Sequence, residues 1–243
     1  MAKRTNADER KDLILAMTVS HYTQTIMPVS SAFISKHFPD DISSATIRNV
    51  FAELEDDGFL THPHTSAGRI PTQKGYRYYV DHLMDEIQLL EEEKRRIKAE
   101  YDQETLELEK LLEKTSQTIS DLTHYTTIIS IDGVQDKLIC RGTNFIVSYS
   151  DQDLTRIQNI LVALEEKEHL LEVINKDLRS RIEIFIGAEI PFKTIDNCSM
   201  AVSRYHIKNG PSGRIAVLGP TRMRYERVIS ALDYFSDLME RLF

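Results

Sequence analysis

The chain has 243 residues, of which 41% are hydrophobic and 28% charged, and its formal net charge is −8 at pH 7. This length can hold one large domain or two small ones, and the composition is typical of a soluble globular protein. The charged start MAKRTNADERKD is unlike a signal peptide, and the sequence lacks the run of about 20 apolar residues that a membrane span needs.

Three helical patterns occupy the beginning of the chain. The first covers residues 8–25, the second is the short segment SAFISKHF that ends before Pro39, and the third covers residues 44–57. Serines can cap the second and the third helix: Ser30 or Ser31, and Ser43 or Ser44. The apolar residues of the third helix recur at the spacing of one helix face: Ile47, Val50, Phe51 and Leu54. Two short helices in tight succession are the elements of a helix-turn-helix.

A hairpin is expected after the third helix. Residues 59–62 and 69–72 are short enough for its two strands, and the turn-rich segment PHTSAG lies between them. Three helices followed by a hairpin form a winged helix-turn-helix, which usually places its third helix in the major groove and its wing over the DNA backbone or minor groove. From Gly58 to Val80 there is no Asp or Glu, which indicates a surface that meets phosphates.

Candidate DNA contacts lie on the third helix. Arg48 and Asn49 each offer two hydrogen bonds in one plane, which suits guanine and adenine respectively. The hydroxyls of Ser44 and Thr46 at the helix start can reach phosphates. A solvated face of an ordinary amphipathic helix is the competing interpretation of this pattern.

Further candidates lie on the wing and after it. In the loop 64–69, Gly68 allows the backbone to approach a ligand closely, and Arg69 at a hairpin tip is placed for insertion into a minor groove. Lys74, Tyr76 and Arg77 would add phosphate contacts at the start of the next helix. A plain surface turn remains the alternative for the loop.

A long helix is predicted to connect two domains. It begins within residues 73–84 and continues to about residue 122, with apolar residues in an imperfect heptad. Such a pattern fits either a two-chain coil or a linker helix that packs on its own domain. The predicted organisation is a winged-helix domain over 1–82, a linker helix over 83–122 and a third segment over 123–243.

The last segment mixes strands and helices. Strands are predicted at 126–131, 137–140, 145–149, 181–186, 199–206 and 215–218, and helices at 151–175 and 221–242. Because these elements do not alternate strictly, they favour an α+β sheet domain.

The sequence contains no motif of catalysis or of cofactor binding. GxGxxG, GxxxxGK[ST], HExxH and GxSxG are all missing, and the eight histidines form no set with cysteine at metal-ligand spacing. Cys140 and Cys198 are far apart, which indicates buried thiols in a reducing compartment. We therefore expect a cytoplasmic protein with no enzymatic activity, no cofactor and no metal.

Two blocks of motifs resemble the heat-inducible transcription repressor family HrcA. The first block comprises SSATIRN at 43–49, PHTSAGRIPT at 63–72 and KGYRYYVD at 74–81. The second comprises IFIGAE at 184–189 and GRIAVLGPTRMRYERVISALDYF at 213–235. Their number and order make the resemblance specific.

The resemblance implies a winged-helix domain followed by a GAF-like α+β domain. It also implies a dimeric repressor that binds the inverted-repeat CIRCE operator upstream of chaperone operons, is released by heat, and depends on chaperonin as a partner. The residues expected at the DNA are Ser43, Ser44, Thr46, Arg48, Asn49, His64, Ser66, Arg69, Lys74, Tyr76 and Arg77.

One departure from the family concerns the dimer. The family carries a dimerisation insert in the GAF-like part, whereas the interval from Cys140 to Arg181 has room for only one strand and one helix. We therefore expect the insert to be reduced or missing, and the helix 83–122 together with the GAF-like surface to form the dimer contact.

Two other functions remain open at this point. One is a winged-helix regulator whose GAF-like domain senses a small metabolite. The other is an interaction protein whose coiled helix binds a partner and whose winged helix contacts protein instead of DNA.

Overall fold

A computed structural model describes residues 7–63, 68–85, 88–102, 107–134, 138–149, 153–208 and 210–241. The chain forms two compact units, residues 1–85 and residues 86–243. The first unit is mainly helical, and the second combines helices with a five-stranded sheet. The predicted α+β class is therefore confirmed.

The described part of the first unit has the element order of a winged helix-turn-helix. Its elements are α1 Ala7–Thr25, α2 Ser31–His37, α3 Ser44–Asp56, β1 Leu60–Thr61, β2 Ile70–Pro71 and α4 Gln73–Tyr78, which continues as a π-helical turn over Tyr79–Leu83. β1 and β2 pair antiparallel. The side chains at its centre are at most 3% exposed: Ile14, Leu15, Ile34, Ile47, Phe51, Leu54 and Leu60.

Hydroxyl caps fix where three of these helices begin. Ser30 accepts a hydrogen bond from the Phe33 amide at 3.1 Å, and Ser43 accepts one from the Thr46 amide at 3.1 Å. Thr72 does the same for Gly75 at the start of α4. Each cap satisfies an amide that the first helical turn leaves unpaired, so the predicted starts of α2 and α3 are confirmed.

The described part of the second unit is a sheet between two layers of helices. Its elements are α5 Glu91–Asp102, α6 Leu108–Thr123, β3 Thr126–Ile131, β4 Leu138–Arg141, α7 Phe145–Tyr149, α8 Leu154–Glu165, α9 Lys167–Ile174, β5 Ile182–Ile186, β6 Cys198–His206, β7 Ser212–Pro220 and α10 Tyr225–Arg241. The strand order is β4-β3-β7-β6-β5, and every neighbouring pair is antiparallel. This is the GAF-like α+β unit that the resemblance implies.

Hydrogen bonds show which helices cover each face of the sheet. On one face Ser120 of α6 bonds Thr127 at 2.9 Å, and Ser236 of α10 bonds Ser203 at 3.1 Å. On the other face Ser130 bonds Asn175, directly after α9, at 3.1 Å. All six residues of β3 are buried as a result.

The expectation of one long helix to residue 122 is wrong. The backbone leaves the helical region at Met84, and α5 and α6 are separate helices of the second unit. Ile97, Tyr101 and Leu111 are buried within the chain, so these heptad positions pack on their own domain. Thr115, a polar residue in the heptad, is buried as well and bonds the Tyr101 hydroxyl at 2.9 Å. A spacing of three and four residues fits any helix that packs on one side, not only a coiled coil.

Two predictions between β4 and β5 are also wrong. Residues 145–149 form α7 and not a strand, and the predicted helix 151–175 is α8 and α9, separated at Glu166. Gly142, at a φ of +79°, ends β4, and the amide of Phe145 bonds the Gly142 carbonyl in a tight turn. That turn starts a helix despite the β-branched and aromatic residues that follow it. In the described residues from Cys140 to Arg181 there are thus three helices after β4, instead of one strand and one helix.

The other predicted strands of the second unit are confirmed, and outside β7 their ends lie within one residue of the prediction. β7 is longer than predicted, with nine residues instead of four. Among the described residues, no helix has the length and apolarity to cross a membrane.

An ion pair ties α5 to α10 in the second unit. Arg227 donates to both carboxylate oxygens of Glu93, at 3.0 and 2.6 Å, and Glu93 also accepts from the Leu90 amide. The hydrogen bond from Arg227 lowers the pKa of Glu93 from its ordinary value of 4.5. A carboxylate with a lowered pKa stabilises the fold above its unfolded pKa and loses this contribution as the pH falls through the folded value.

We therefore predict that Glu93→Gln lowers stability at pH 7 by about 1.5–3 kcal/mol, the usual worth of a hydrogen bond to a charged group. The difference from the wild type should shrink as the pH falls from about 4.5 through the lowered pKa of the folded state, because the wild-type carboxyl becomes protonated over this range. Thermal melts from pH 7 to pH 3 test this, with the exposed neighbour Glu92→Gln as control. A pH-independent difference would contradict the prediction.

Candidate nucleic-acid interface

Helix α3 presents the predicted recognition residues to solvent. Ile47, Phe51 and Leu54 hold its other face in the core. Arg48 and Asn49 are exposed next to each other, and the Arg48 Nε donates to the Ser31 hydroxyl at 3.4 Å. Among the predicted phosphate contacts, Ser43 is exposed and Ser44 and Thr46 are partly exposed. The structure thus brings these five residues to one end of α3.

The charges along α3 differ between its two ends. The first half contains no acidic residue, whereas Glu53, Glu55, Asp56 and Asp57 follow near its end. Residues 1–85 contain nine Lys and Arg against eleven Asp and Glu, so the first unit is not basic overall. The helix N-terminus carries the positive end of the helix dipole, so phosphates can approach this end.

The base of the wing is tied to the loop between α1 and α2. The backbone of Arg69 pairs with that of Val29 through two hydrogen bonds of 2.8 and 2.9 Å. A Cβ atom on Gly68 would lie 2.4 Å from the Val29 carbonyl oxygen, so only glycine fits there. The close approach expected between Gly68 and a ligand is therefore made by the chain itself.

Arg69 lies at the base of the wing and not at its tip. Its Nη2 is 2.9 Å from Oε2 of Glu55 near the end of α3. The other oxygen of Glu55 contacts Nδ1 of His62, the residue after β1. The predicted wing residues His64 and Ser66 lie outside the described residues.

The three candidates after the wing differ in their surroundings. Lys74 donates to the Asp57 carbonyl at 2.7 Å and covers the Phe59 ring, so it stabilises the negative end of α3. Arg77 is partly exposed and pairs with Asp81 at 3.1 Å. Tyr76 is 3% exposed, so its expected phosphate contact is wrong for this conformation. The Tyr76 ring instead packs into the core of the first unit, as an aromatic residue at helical spacing often does.

Sequence reasoning missed Glu55 and Lys36 in this unit. Lys36 is an exposed cation in the last turn of α2. Glu55 had no recognisable signal, because its partners His62 and Arg69 lie on both sides of a hairpin and only the fold brings them together.

The second block of family motifs, at 184–189 and 213–235, contains residues that pack the second unit. Gly213 lies where β7 meets β3, and a Cβ there would be 2.0 Å from the Ser130 carbonyl oxygen. Gly219 packs against the ring of Tyr125 in the same way. Burial raises the pKa of Cys140 to about 11 and that of Cys198 to about 12, which keeps both thiols protonated and unreactive. Within the described ranges, no group of three His, Cys, Asp or Glu side chains could hold a metal ion.

An open polar pocket on the second unit bears on the metabolite-sensing alternative. It is lined by Leu178, Arg179, Ser180, Arg181, Arg204, Ser236 and Glu240. Arg181 pairs with Asp233 and Asp237, and Arg204 lies 4.0 Å from Asp177. Small-molecule sites are usually enclosed and mostly apolar, so this pocket does not favour that alternative.

Comparisons with known proteins agree on one family. The model of the HrcA protein C-terminal domain matches residues 130–229. The heat-inducible transcription repressor HrcA of Pelotomaculum thermopropionicum is 26% identical in an alignment 339 positions long, which covers 97% of each chain. The HrcA of Desulforamulus reducens is 29% identical in an alignment 334 positions long, which covers 96% of each chain.

These relatives are longer than the present chain. The alignment length of 339 positions exceeds the 243 residues here, so the relative contains segments without a counterpart in this chain. A crystal structure described only as that of a hypothetical protein has the same fold, with a TM-score of 0.74 and 19% identity, and the match covers 98% of this chain and 97% of that one. The motifs at both ends, the family model and the nearly full-length relatives agree, and the chain belongs to the HrcA family of heat-inducible transcription repressors.

Proposed function

We propose that the protein is a cytoplasmic, non-enzymatic repressor that binds the inverted-repeat CIRCE operator of chaperone operons as a homodimer. The observation that carries the proposal is the exposure of Arg48 and Asn49, side by side, at the capped end of the third helix of a helix-turn-helix. A bidentate arginine or asparagine on such a helix is the usual means of reading a base edge.

The proposed complex places the beginning of α3 in the major groove. Ser43, Ser44 and Thr46 then meet the phosphates that flank the contacted bases. The wing, with His64, Ser66 and Arg69, lies over the minor groove, and Lys74 and Arg77 contact the backbone beyond it. Tyr76 supports this surface from the core.

A two-fold operator requires two copies of the reading helix. Because the heptad positions of α5 and α6 are used inside the chain, we place the dimer contact on α7 and α8. Helix α8 buries Ile160 and Ala163 on one side, yet Leu154 is 79% and Leu161 43% exposed on the other. A helix that is apolar on both sides is normally covered on both, and a second copy of the chain is the cover proposed here.

Leu161→Glu is accordingly expected to weaken the dimer. A charge buried in an apolar contact is costly, so the variant should be mainly monomeric at micromolar concentration while its melting temperature changes little. Light scattering on wild type and variant measures the masses. Thr155→Glu, at an exposed position on another side of α8, serves as the control for charge alone. A wild type that is already monomeric, or an unchanged mass for Leu161→Glu, contradicts this interface.

Heat and chaperonin are proposed to act through the folding of the second unit. Its partial unfolding would remove the dimer and, with it, tight binding to the operator. A chaperonin that refolds the released chain would restore binding. Refolding from denaturant with and without chaperonin and nucleotide, followed by operator titration, tests this step; equal recovery in both would contradict it.

The operator itself is tested by fluorescence anisotropy with a CIRCE duplex and a scrambled duplex at several salt concentrations. We expect a preference for CIRCE of about 10³ or more, as is typical of specific DNA-binding proteins. Equal binding to both duplexes would leave the family fold without this function. Binding to neither, even with chaperonin and nucleotide, would favour the interaction-protein alternative.

A further inference from the structure

The carboxylate of Glu55 links the recognition helix to both strands of the wing. It lies near the end of α3, and its side chain is 25% exposed. One oxygen contacts Nδ1 of His62 directly after β1, and the other lies 2.9 Å from Nη2 of Arg69 directly before β2. A single acidic group thus holds the side chains of His62 and Arg69 at the base of the wing.

The position of Arg69 is fixed independently of this ion pair. Its backbone forms two hydrogen bonds with Val29, and the neighbouring Gly68 lies so close to the Val29 carbonyl that a Cβ atom would not fit between them. The Arg69 side chain is 22% exposed, and its Nε is buried with no hydrogen-bond partner among the described residues. The guanidinium therefore has one main partner, Glu55, and it must leave that partner to reach a phosphate or a groove.

Glu53 shows that this arrangement is particular to Glu55. It lies two residues earlier on α3, its side chain is 62% exposed, and its nearest cation is Lys11 at 3.8 Å. Both glutamates carry the same charge at nearly the same distance from Arg48 along the chain. Of the two, only Glu55 contacts a described residue of the wing.

We propose that Glu55 is a positioning residue that determines how strictly the protein discriminates between DNA sequences. It competes with DNA phosphates for Arg69 and His62, and it keeps the wing at a fixed position relative to α3. A partly exposed ion pair is weak enough to be exchanged. On operator DNA, where α3 fits the groove, the wing meets the strong potential of the minor groove and Arg69 exchanges Glu55 for DNA. On other DNA the guanidinium stays with Glu55.

The consequence concerns sequence-independent binding. Such binding is mostly electrostatic and grows with the number of phosphates that cations neutralise. Without the charge of Glu55, Arg69 becomes available to any duplex, so binding to unrelated DNA is strengthened more than binding to the operator. This inference rests on the proposed DNA-binding function.

The test compares Glu55→Gln with Glu53→Gln, which removes the same charge from the same helix. Anisotropy titrations on operator and scrambled duplexes at several salt concentrations give the affinity ratio and the salt slope. For Glu55→Gln we expect affinity for the scrambled duplex to rise roughly tenfold more than for Glu53→Gln, and the salt slope to steepen by about 0.9 for each released cation. The preference for the operator should fall accordingly.

A third variant tests whether the gain in affinity for scrambled DNA comes from the released Arg69. In Glu55→Gln combined with Arg69→Ala, the added affinity for scrambled DNA should disappear. Equal ratios and slopes for Glu55→Gln and Glu53→Gln would overturn the proposal, and so would a gain that survives Arg69→Ala. Should Glu55→Gln not fold, which circular dichroism reveals, Glu55→Asp takes its place: the shorter side chain breaks the contact with Arg69 but keeps the charge, so a smaller loss of discrimination is expected, and no loss would overturn the proposal.

A failure of the proposed repressor function can be distinguished from a failure of the proposal for Glu55. A wild type that binds both duplexes equally contradicts the repressor function, yet the difference in salt slope between the two glutamine variants still tests the competition for Arg69. A selective wild type with indistinguishable variants contradicts only the role of Glu55.

Discussion

Replacing Arg48 and Asn49 together by alanine is expected to remove most of the preference for the CIRCE operator. Each bidentate contact to a base contributes about 1–3 kcal/mol of discrimination, so losing both should lower operator affinity by roughly 30-fold or more. Both side chains are exposed on α3 and support no part of the core, so the fold should persist. Anisotropy titration on operator and scrambled duplexes measures the effect.

The control for this experiment is Lys36→Ala. Lys36 is an exposed cation on α2, and its loss should weaken binding to both duplexes by a similar factor. The double variant, in contrast, should affect the operator far more than the scrambled duplex. If it keeps the wild-type ratio, α3 does not read the bases and the proposed binding mode fails.

Phe235→Ala is expected to give the largest loss of stability. The ring is fully buried on the inner side of α10, with its centroid 6.2 Å from that of Tyr101 on α5. Truncating a buried phenylalanine costs about 3–5 kcal/mol. In a unit of this size, about 2–4 °C of melting temperature is lost per kcal/mol, so the midpoint should fall by about 6–20 °C.

This variant also tests how heat acts. If unfolding of the second unit releases the repressor, the temperature at which operator binding is lost should fall together with the melting temperature. The control is Leu90→Ala, a truncation of a side chain that is 68% exposed, which should change stability by no more than about 0.5 kcal/mol. A release temperature that does not follow the melting temperature would point to a thermal trigger outside the second unit.

Local chemistry made most of the first unit predictable. Ser30 and Ser43 predict the starts of α2 and α3, because a capping hydroxyl stands directly before the apolar pattern of a helix. The apolar face of α3 also predicted that Arg48 and Asn49, on its opposite side, are exposed. Tyr76 could not be assigned in this way, because its burial depends on contacts that the fold creates.

Long-range packing explains what was mispredicted in the second unit. The apolar spacing of α5 and α6 does not tell whether Ile97 and Leu111 meet another chain or their own domain. At residues 145–149, a turn after Gly142 outweighed the strand preference of FIVSY. Glu55 was invisible for a similar reason, since its partners on the wing are brought to it by a hairpin.

The central position of β7 in the sheet affects how the second unit folds during synthesis. β7 lies between β3 and β6, so β3, which is synthesised about 90 residues earlier, has no inner neighbour until β7 has left the ribosome. The first unit can fold while the second is still being translated. During that interval the apolar surfaces of β3, α5 and α6 lack the strands and the helix α10 that cover them, which is the kind of surface that chaperones bind. Until β7 and α10 have been made, this part of the chain is therefore the part most exposed to aggregation.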